Sequence, residues 1–329
     1  MRNQVALKVN RVIARAAFAM GGLLILAGCS IPGATGGMSS GAVGNFGLLS
    51  EVPHLHVEPV PVKTPRFATR IVAHRGYSSR YPENTVSAIR AAADAGADMV
   101  EIDVQLTKDN EIVVIHDQSV YRTTNGSGLV KDLTFEQIRA LDAGSKFDPK
   151  FAGERIPTLE EAIDAVYGKS MLNIEVKNVG SEGARKLMAE KIAALVERRN
   201  YASHVQVMAF DSDFMREMRL RSPQVSMALL AVNNTFGSKA RQAANLKLDG
   251  LNLLHNTISA DEVSSIHKAG LKTNVYTVNR SNSMLKALRK GVDGLITDYP
   301  EVAAAAMHVY FNGGVLPDAL LDGPDGEDS

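Results

Sequence analysis

The sequence lacks several features that would have assigned it to other classes of protein. Cys29 is its only cysteine, so no intrachain disulfide can form. Its 36 lysines and arginines balance 36 aspartates and glutamates, and no basic run carries interleaved aromatic residues, which argues against nucleic-acid binding. No Gly-x-Gly-x-x-Gly turn follows the first apolar segment of the folded region, which disfavours a doubly wound dinucleotide-binding sheet. With 329 residues, the chain is long enough for one large core or two modest ones.

Acidic residues are also absent from the first 28 positions. Four basic residues precede the apolar run 16–27, which is the pattern of a secretory signal and is short for a bilayer span. The run ends in Leu26-Ala27-Gly28-Cys29, which resembles the lipobox of bacterial lipoproteins; an uncleaved anchor is the alternative. The resemblance implies cleavage before Cys29, lipidation of Cys29, and residence in the cell envelope, on the periplasmic face of a membrane or at the cell surface. Removing four of 36 positive charges leaves 32 against 36 negative ones, a mature chain near −4.

Composition divides the rest of the chain into three parts. Residues 29–68 are rich in Gly, Ser and Pro and are predicted to form a flexible tether. Residues 69–312 alternate apolar runs with helical patterns and are predicted to form one folded domain. Residues 313–329 form an acidic tail that is predicted to be disordered.

Short β-branched runs within the folded domain predict a parallel sheet with crossover helices. The runs that fit barrel strands are 71–73, 99–104, 171–176, 205–209, 225–230, 250–253, 273–277 and 294–297. Eight such units over about 240 residues match an α/β protein built as one (β/α)8 TIM-like barrel. A doubly wound open sheet is the alternative. Threonines at 85, 134 and 158 are predicted to start helices, and residues 120–157 to form loops and a short helix over the site.

Charged residues cluster where the first two strands end. His74 and Arg75 follow the first strand, and catalytic side chains converge at strand C-terminal ends in a parallel barrel. Glu101 and Asp103 are two residues apart, so both side chains leave the same face of the second strand. The turn after this strand is too short for a parallel crossover, which predicts an extra antiparallel β-hairpin. That hairpin would return His116 to the two carboxylates.

A set of short motifs includes these residues and continues toward the C-terminus. The motifs are His74-Arg75-Gly76, Pro82-Glu83-Asn84-Thr85, Glu101-Ile102-Asp103-Val104, His116-Asp117, Glu175-Val176-Lys177, Thr277-Val278-Asn279 and Thr297-Asp298. In this order, over residues 69–305, the set resembles the glycerophosphodiester phosphodiesterase family, here in a bacterial, lipoprotein-type form. Each tripeptide alone is weakly specific, whereas their joint order is specific. One departure is Tyr276, where the family usually has Trp, and it implies a differently shaped substrate pocket.

The resemblance implies a metal site formed by Glu101, Asp103 and Glu175. Because these residues supply only oxygen ligands, they favour one hard divalent cation, Mg²⁺ or Ca²⁺. The alternative is a structural ion network in which Arg75 and Lys177 neutralise the carboxylates. Burying three carboxylates together would be costly without a compensating cation, which favours the metal site.

Two histidines and two basic residues complete the predicted site. His74 and His116 are predicted to transfer protons, since an unperturbed imidazole titrates at about pH 6.5. Arg75 and Lys177 are predicted to bind the phosphodiester and its developing negative charge. The sequence leaves open which histidine is the acid and which is the base.

The family resemblance implies metal-dependent hydrolysis of glycerophosphodiesters to glycerol 3-phosphate and an alcohol. One histidine would deprotonate the substrate's glycerol hydroxyl as it attacks phosphorus, the other would protonate the departing alcohol, and water would open the cyclic phosphate. Direct attack by water is the alternative route. A lysophospholipase D or sphingomyelinase D-like activity and a non-enzymatic phosphodiester-binding lipoprotein are the alternative functions. The expected partners are a small-molecule substrate and a membrane, reached through lipidated Cys29.

Overall fold

The computed structural model describes residues 68–177, 179–232 and 236–317. The predicted signal peptide, Cys29 and the tether up to residue 67 lie outside the described residues, as do residues 318–329 of the predicted tail. The tail residues 313–317 are described, and Leu316 is buried among them. Within the described ranges, no helix combines the length and the apolarity needed to cross a membrane.

A closed sheet forms the centre of the described fold. Its strands are β1 (Arg70–Ala73), β2 (Met99–Leu106), β3 (Ile112–Val114), β4 (Met171–Val176), β5 (Val205–Ala209), β6 (Ser226–Ala231), β7 (Gly250–Leu254), β8 (Asn274–Tyr276) and β9 (Gly294–Thr297). All except β3 run parallel, and β1 pairs with both β2 and β9, which closes the ring. The predicted (β/α)8 barrel is therefore confirmed. The alternative of an open sheet is wrong, because β1 has a strand partner on each side and the parallel strands form a closed ring.

Helices connect the strands and surround the barrel. They are α1 (Val86–Asp94), α2 (Phe135–Arg139), α3 (Leu159–Val166), α4 (Glu182–Arg198), α5 (Ser212–Arg221), α6 (Phe236–Asn245), α7 (Ala260–Lys268), α8 (Ser281–Lys290) and α9 (Pro300–Asn312). The side chain of Thr85 accepts a backbone N–H from the first turn of α1. Thr134 forms a capping box with Gln137 at α2. Thr158 forms another with Glu161 at α3, so the three predicted helix starts are confirmed.

The extra strand β3 forms the predicted antiparallel hairpin with β2. Val104 lies opposite Val114 in the pairing, and the turn between the strands contains Asn110 at φ +66°, a conformation that asparagine tolerates well. Just beyond β3, the Ile115 backbone N–H donates to the Asp103 carbonyl at 2.9 Å. The hairpin therefore carries the chain that follows β3 back to the end of β2.

Side-chain alternation along β2 separates the core from the site. Val100, Ile102 and Val104 belong to the main hydrophobic cluster, which includes residues of the surrounding helices. Glu101 and Asp103 point to the opposite face, into the barrel, because successive side chains of a strand alternate. A strand buried on both faces thus places carboxylates inside the barrel and apolar groups beneath the helices.

Residues 120–157 form loops, the short helix α2 and two 3₁₀ turns, Val130–Asp132 and Pro149–Phe151. Their apolar side chains pack with the hairpin arm in a second hydrophobic cluster. Its buried members are Val113, Ile115, Val120, Val130, Ile138, Ala143 and Ile156. The segment is therefore attached to β3 and to the chain that carries His116, rather than to the barrel wall alone.

Candidate active site

The three predicted carboxylates meet at the C-terminal ends of β2 and β4. Asp103 lies directly opposite Glu175 in the strand pairing, and Glu101 precedes Asp103 on the same face. One potential ligand atom from each residue lies within 4.8 Å of the others. Neighbouring parallel strands end at the same rim of the barrel, which explains how residues far apart in sequence come together.

Burial makes this carboxylate cluster electrostatically unfavourable by itself. Glu101 and Asp103 are both fully buried. Burial and the charges of Asp103 and Glu175 raise the pKa of Glu101 well above its usual value. Burial and the Asp103 charge also raise the pKa of Glu175. A cluster of this kind requires nearby positive charge to remain fully ionised.

Protein cations meet part of this requirement. The Lys177 ammonium lies 2.6 Å from Glu175 Oε1 and 3.3 Å from Asp103 Oδ1. Arg75 places its Nε 3.4 Å from Asp103 Oδ2. Although burial alone would raise the pKa of Asp103, these two cations lower it below its ordinary value. The structural ion network considered from sequence is thus present at these distances.

The two carboxylate oxygens of Glu101 differ in their contacts. Glu101 Oε2 accepts the Arg75 backbone N–H at 2.8 Å, whereas Glu101 Oε1 is buried and has no hydrogen-bond partner among the described residues. An unsatisfied buried carboxylate oxygen costs free energy. The unpaired oxygen and the all-oxygen ligand set fit a hard divalent cation held by Glu101, Asp103 and Glu175.

The first histidine is paired with a carboxylate that directly follows the last barrel strand. His74 Nδ1 lies 2.7 Å from Asp298 Oδ1. Ser78 Oγ donates to Asp298 at 2.8 Å, and Asn279 Nδ2 donates at 2.7 Å. Burial alone would raise the pKa of Asp298, but the bonds from His74, Ser78 and Asn279 lower it to about 2. The ionised Asp298 can accept a hydrogen bond from the Nδ1–H of His74, which leaves Nε2 as the ring nitrogen that does not contact Asp298.

The second histidine repeats this pairing within a single dipeptide. His116 Nδ1 lies 2.8 Å from Asp117 Oδ1. Burial lowers the pKa of His116 below its ordinary value, although the nearby Asp103 charge opposes the shift. The Ile115–Asp103 backbone hydrogen bond places the neighbouring His116 beside the strand that carries Glu101 and Asp103, and both imidazoles act electrostatically on Asp103. The fold-back predicted from the short turn therefore brings His116 to the site.

Arg75 occupies the position between the carboxylates and the mouth of the barrel. Its backbone is left-handed, with φ +54°, which turns the chain sharply after His74. Its Nη1 donates to Glu83 Oε1 at 3.1 Å, and its buried Nε faces Asp103 Oδ2 at 3.4 Å. The guanidinium therefore bridges Glu83 of the loop and Asp103 of the carboxylate cluster.

Several supporting residues were not predicted as site residues from the sequence. Asp298 and Asp117 orient the two histidines. Asp298 directly follows β9, so the rule that polar residues at strand ends converge could have found it. Asp117 follows His116 in the chain, and its role became visible only from the contact between the two side chains.

Three further residues hold the charged groups of the site. Asn84 donates to Asp103 Oδ2 at 2.8 Å, and Glu83 accepts from Arg75. Arg122 contacts Glu83 from the loop after His116, and no periodicity or spacing pointed to it.

Tyr276 lies at the end of β8, four strand positions around the ring from β4. Its hydroxyl donates to the Ala231 carbonyl at 2.9 Å. Its ring meets Phe210 edge to face, with centroids 6.5 Å apart, and Phe210 is 43% exposed. The wall of the barrel mouth facing the charged residues is therefore partly aromatic.

Comparison with known proteins identifies a single family. The sequence profile of the glycerophosphoryl diester phosphodiesterase family matches residues 74–302. A glycerophosphodiester phosphodiesterase of Caldanaerobacter subterraneus is 40% identical over 236 residues, covering 71% of this chain and 95% of that protein. Another from Bacillus altitudinis is 35% identical over 246 residues, covering 71% and 96%.

A solved structure is also similar to this chain. It is an Oleispira antarctica phosphodiesterase in complex with the product sn-glycerol-3-phosphate. The two chains share 28% identity with a TM-score of 0.67, covering 73% of this chain and 97% of the other. The residues 74–302 that match the family profile include the three carboxylates and both histidine–aspartate pairs.

Proposed function

Because this chain belongs to the glycerophosphoryl diester phosphodiesterase family, we propose that it hydrolyses glycerophosphodiesters to glycerol 3-phosphate and an alcohol. The chain is an enzyme, a phosphoric diester hydrolase. The observation that carries the proposal is the grouping of two histidine–aspartate pairs around one cluster of three carboxylates. The product bound to the Oleispira antarctica relative supports glycerol 3-phosphate as the product here.

In this proposal Glu101, Asp103 and Glu175 hold one divalent cation, Mg²⁺ or Ca²⁺. The unpaired Glu101 Oε1 and the all-oxygen ligand set support it. Burial and mutual repulsion raise the pKa of Glu101 and Glu175, and a bound cation would offset both effects. When bound, the cation supplies Lewis-acid polarisation of phosphate oxygens.

Arg75 and Lys177 would bind the phosphodiester. The Arg75 guanidinium holds a positive charge beside the carboxylate cluster, 3.4 Å from Asp103 Oδ2, where it would attract the anionic phosphate. Lys177 adds a second positive charge beside the carboxylates, at the end of β4. Together they would hold negative charge where it develops during phosphoryl transfer.

His74 and His116 would carry the protons. With Nδ1 of each ring held by an aspartate, Nε2 is the nitrogen available to exchange a proton with the substrate. One imidazole would remove the proton of the attacking glycerol hydroxyl, and the other would protonate the departing alcohol. Water would then open the cyclic phosphate. Direct attack by water would use the same two histidines.

The substrate class is tested with a panel of phosphodiesters. Glycerophosphocholine, glycerophosphoethanolamine, glycerophosphoglycerol and lysophosphatidylcholine would be assayed after chelation and again with added Mg²⁺ or Ca²⁺. We expect release of glycerol 3-phosphate from the deacylated substrates, only with added metal. Turnover of lysophosphatidylcholine alone would instead establish the lysophospholipase D or sphingomyelinase D-like activity. Family membership leaves the non-enzymatic binder without support.

We propose further that the protein is anchored in the cell envelope through a lipidated Cys29. The support is the sequence Leu26-Ala27-Gly28-Cys29 after an apolar run with basic residues before it. Mass spectrometry of membrane-extracted protein should show acylated Cys29 as the N-terminal residue. An intact N-terminal segment, or a Cys29→Ala protein with unchanged location, would contradict the anchor.

A further inference from the structure

The guanidinium of Arg122 lies between two carboxylates at the mouth of the barrel. Its Nη1 and Nη2 donate to the two oxygens of Glu83, each at 2.7 Å. Its Nε donates to Asp117 Oδ2 at 2.6 Å, and Nη2 also reaches Asp117 Oδ1 at 3.2 Å. A planar guanidinium suits such paired bonds, whereas an ammonium does not.

Each of these carboxylates also holds a residue of the site. Asp117 Oδ1 lies 2.8 Å from His116 Nδ1. Glu83 Oε1 accepts from Arg75 Nη1 at 3.1 Å. Arg122 therefore connects the predicted proton-transfer group of the hairpin arm with the predicted phosphate-binding group that follows β1.

Within the described part of the chain, few side chains support these two carboxylates. Among the described residues, Asp117 receives side-chain hydrogen bonds only from His116 and Arg122, and Glu83 only from Arg75 and Arg122. The bond from Arg122 is the largest cause that lowers the pKa of Asp117 to about 2. Without Arg122, each carboxylate would keep a single side-chain donor that belongs to the site.

Arg122 makes these contacts although about half of its side chain is exposed to solvent. Its side chain is 47% exposed, and an exposed ion pair usually contributes little to stability. Paired Arg–carboxylate bonds joined into a network are the exception. A role in positioning accounts for the arrangement better than a role in stability, because both partners contact site residues rather than the core.

We propose that Arg122 is a positioning residue that holds His116, through Asp117, and Arg75, through Glu83, in register with the carboxylate cluster. This inference rests on the proposed function, because it assigns proton transfer to His116 and phosphate binding to Arg75. The proposal predicts two separate kinetic effects. Loss of the Asp117 connection should lower kcat, and loss of the Glu83 connection should raise KM.

The experiment measures kcat and KM of Arg122→Gln, Asp117→Asn, Glu83→Gln and the two double variants that contain Arg122→Gln. We expect Arg122→Gln to lower kcat roughly 10-fold to 100-fold, the usual effect of removing an outer partner of an active-site group, and to raise KM as well. Asp117→Asn should mainly lower kcat, and Glu83→Gln should mainly raise KM. Each double variant should fall short of the product of its single effects, because Arg122 acts through both carboxylates.

Arg80→Gln is the matched control. Arg80 is another exposed arginine in a loop; it lies after β1, is 64% exposed, and pairs with Glu301 rather than with a site carboxylate. Its removal should leave kcat and KM unchanged. Thermal unfolding of Arg122→Gln and Arg80→Gln should give the same midpoint, which separates positioning from stability. If Arg122→Gln proves poorly folded, Arg122→Lys, which keeps the charge without the paired bonds, should still show the lower kcat.

Two results would overturn the inference. One is an Arg122→Gln or Arg122→Lys enzyme with wild-type kcat and KM while His116→Ala is strongly impaired. The other is full multiplicativity in both double variants. A His116→Ala enzyme of near-normal turnover would instead contradict the proposed function itself, so the two failures are distinguishable.

Discussion

The two histidine–aspartate pairs share one hydrogen-bond geometry in two different settings. The His74–Asp298 distance is 2.7 Å and the His116–Asp117 distance is 2.8 Å. The His74 side chain is 14% exposed and lies on the barrel, whereas that of His116 is 30% exposed and lies on the hairpin arm. The same chemical arrangement is thus built once from the ends of barrel strands and once from a dipeptide nearer the surface.

The supports of the two aspartates differ accordingly. Asp298 is held by Ser78 and Asn279, both in segments that follow barrel strands. Asp117 is held by Arg122, which is about half exposed and lies in the loop beyond it. The comparison indicates that the barrel itself fixes the first histidine, while the second depends on an ion network that solvent reaches.

The largest effect is expected from disabling the carboxylate cluster and its proposed metal ion, which both histidine–aspartate pairs share. Chelation should abolish activity, and Mg²⁺ or Ca²⁺ should restore it, because both histidines lie on the same carboxylate cluster. Glu101→Gln, Asp103→Asn and Glu175→Gln should each raise the metal concentration required, by about 10-fold or more, since each removes a charged oxygen ligand. Activity is measured against metal concentration. Unchanged metal dependence in all three variants would mean that the cluster is a structural ion network.

The next largest effect is expected to be similar for the two histidines. His74→Ala and His116→Ala should each lower turnover by roughly 10²–10⁴-fold, with a much smaller change in substrate affinity. The double variant should lose little beyond the worse single one, because groups acting in one step are not additive. The wild-type pH–rate profile should be bell-shaped, and one limb should be missing in a single variant that keeps measurable activity. Near-normal turnover in His116→Ala would contradict the equivalence of the two histidine–aspartate pairs, since the His116–Asp117 pair would then have no catalytic role.

A smaller effect separates the two aspartates. Asp298→Asn and Asp117→Asn each replace the acceptor at Nδ1 with an amide that can donate to it, which favours the wrong tautomer. Steady-state kinetics should show kcat lowered by about 10-fold or more in both variants. Asp298→Asn should lower kcat more than Asp117→Asn does, because the Ser78 and Asn279 donors then face an uncharged, largely buried amide. A larger loss in Asp117→Asn would reverse the assignment of the barrel as the firmer support.

The smallest effect concerns stability in acid. In the folded protein the pKa of Asp298 falls from 3.8 to about 2, as does that of Asp117. A carboxyl group whose pKa is lower in the folded state stabilises the fold above its unfolded pKa, and this contribution is lost as the pH falls through the folded value. Stability should therefore fall between about pH 4 and pH 2, by roughly 2 kcal/mol for Asp298 and by less for Asp117, because the pKa of Asp117 is lowered mainly by Arg122, whose side chain is about half exposed.

Urea unfolding at several pH values checks this difference. Asp298→Asn should remove more of the acid-dependent loss than Asp117→Asn does, because an amide does not titrate. Equal reductions in the two variants would mean that both pairs contribute the same pH-dependent free energy of unfolding. That result would contradict the difference between the two settings.

Much of the fold followed from local patterns. The barrel strands are recognisable as short β-branched runs, and the threonine caps of α1, α2 and α3 depend on residues within one helical turn. The hairpin followed from the length of a single turn, because a short connection excludes a parallel crossover. Each of these features is determined by interactions between residues that are near in sequence.

The membership of the site was also largely predictable. Glu101 and Asp103 share a face because side chains alternate along a strand, and their nearness to Glu175 follows once both strands end at one rim. His116 was placed by the hairpin alone. The sequence by itself therefore determined that the three carboxylates and His116 come together at the barrel, but it did not point to the aspartates that hold the histidines or to Arg122.

Only the tertiary structure decided how those groups are held. Asp298 reaches His74 from 224 positions away because β1 and β9 close the barrel, and Arg122 reaches Glu83 across 39 positions because the segment after His116 packs back over the mouth. Such contacts depend on side-chain reach and loop path, which no periodicity encodes. The pKa values of Glu101 and Asp103 likewise depend on burial and on neighbouring charges, which exist only once the chain has folded.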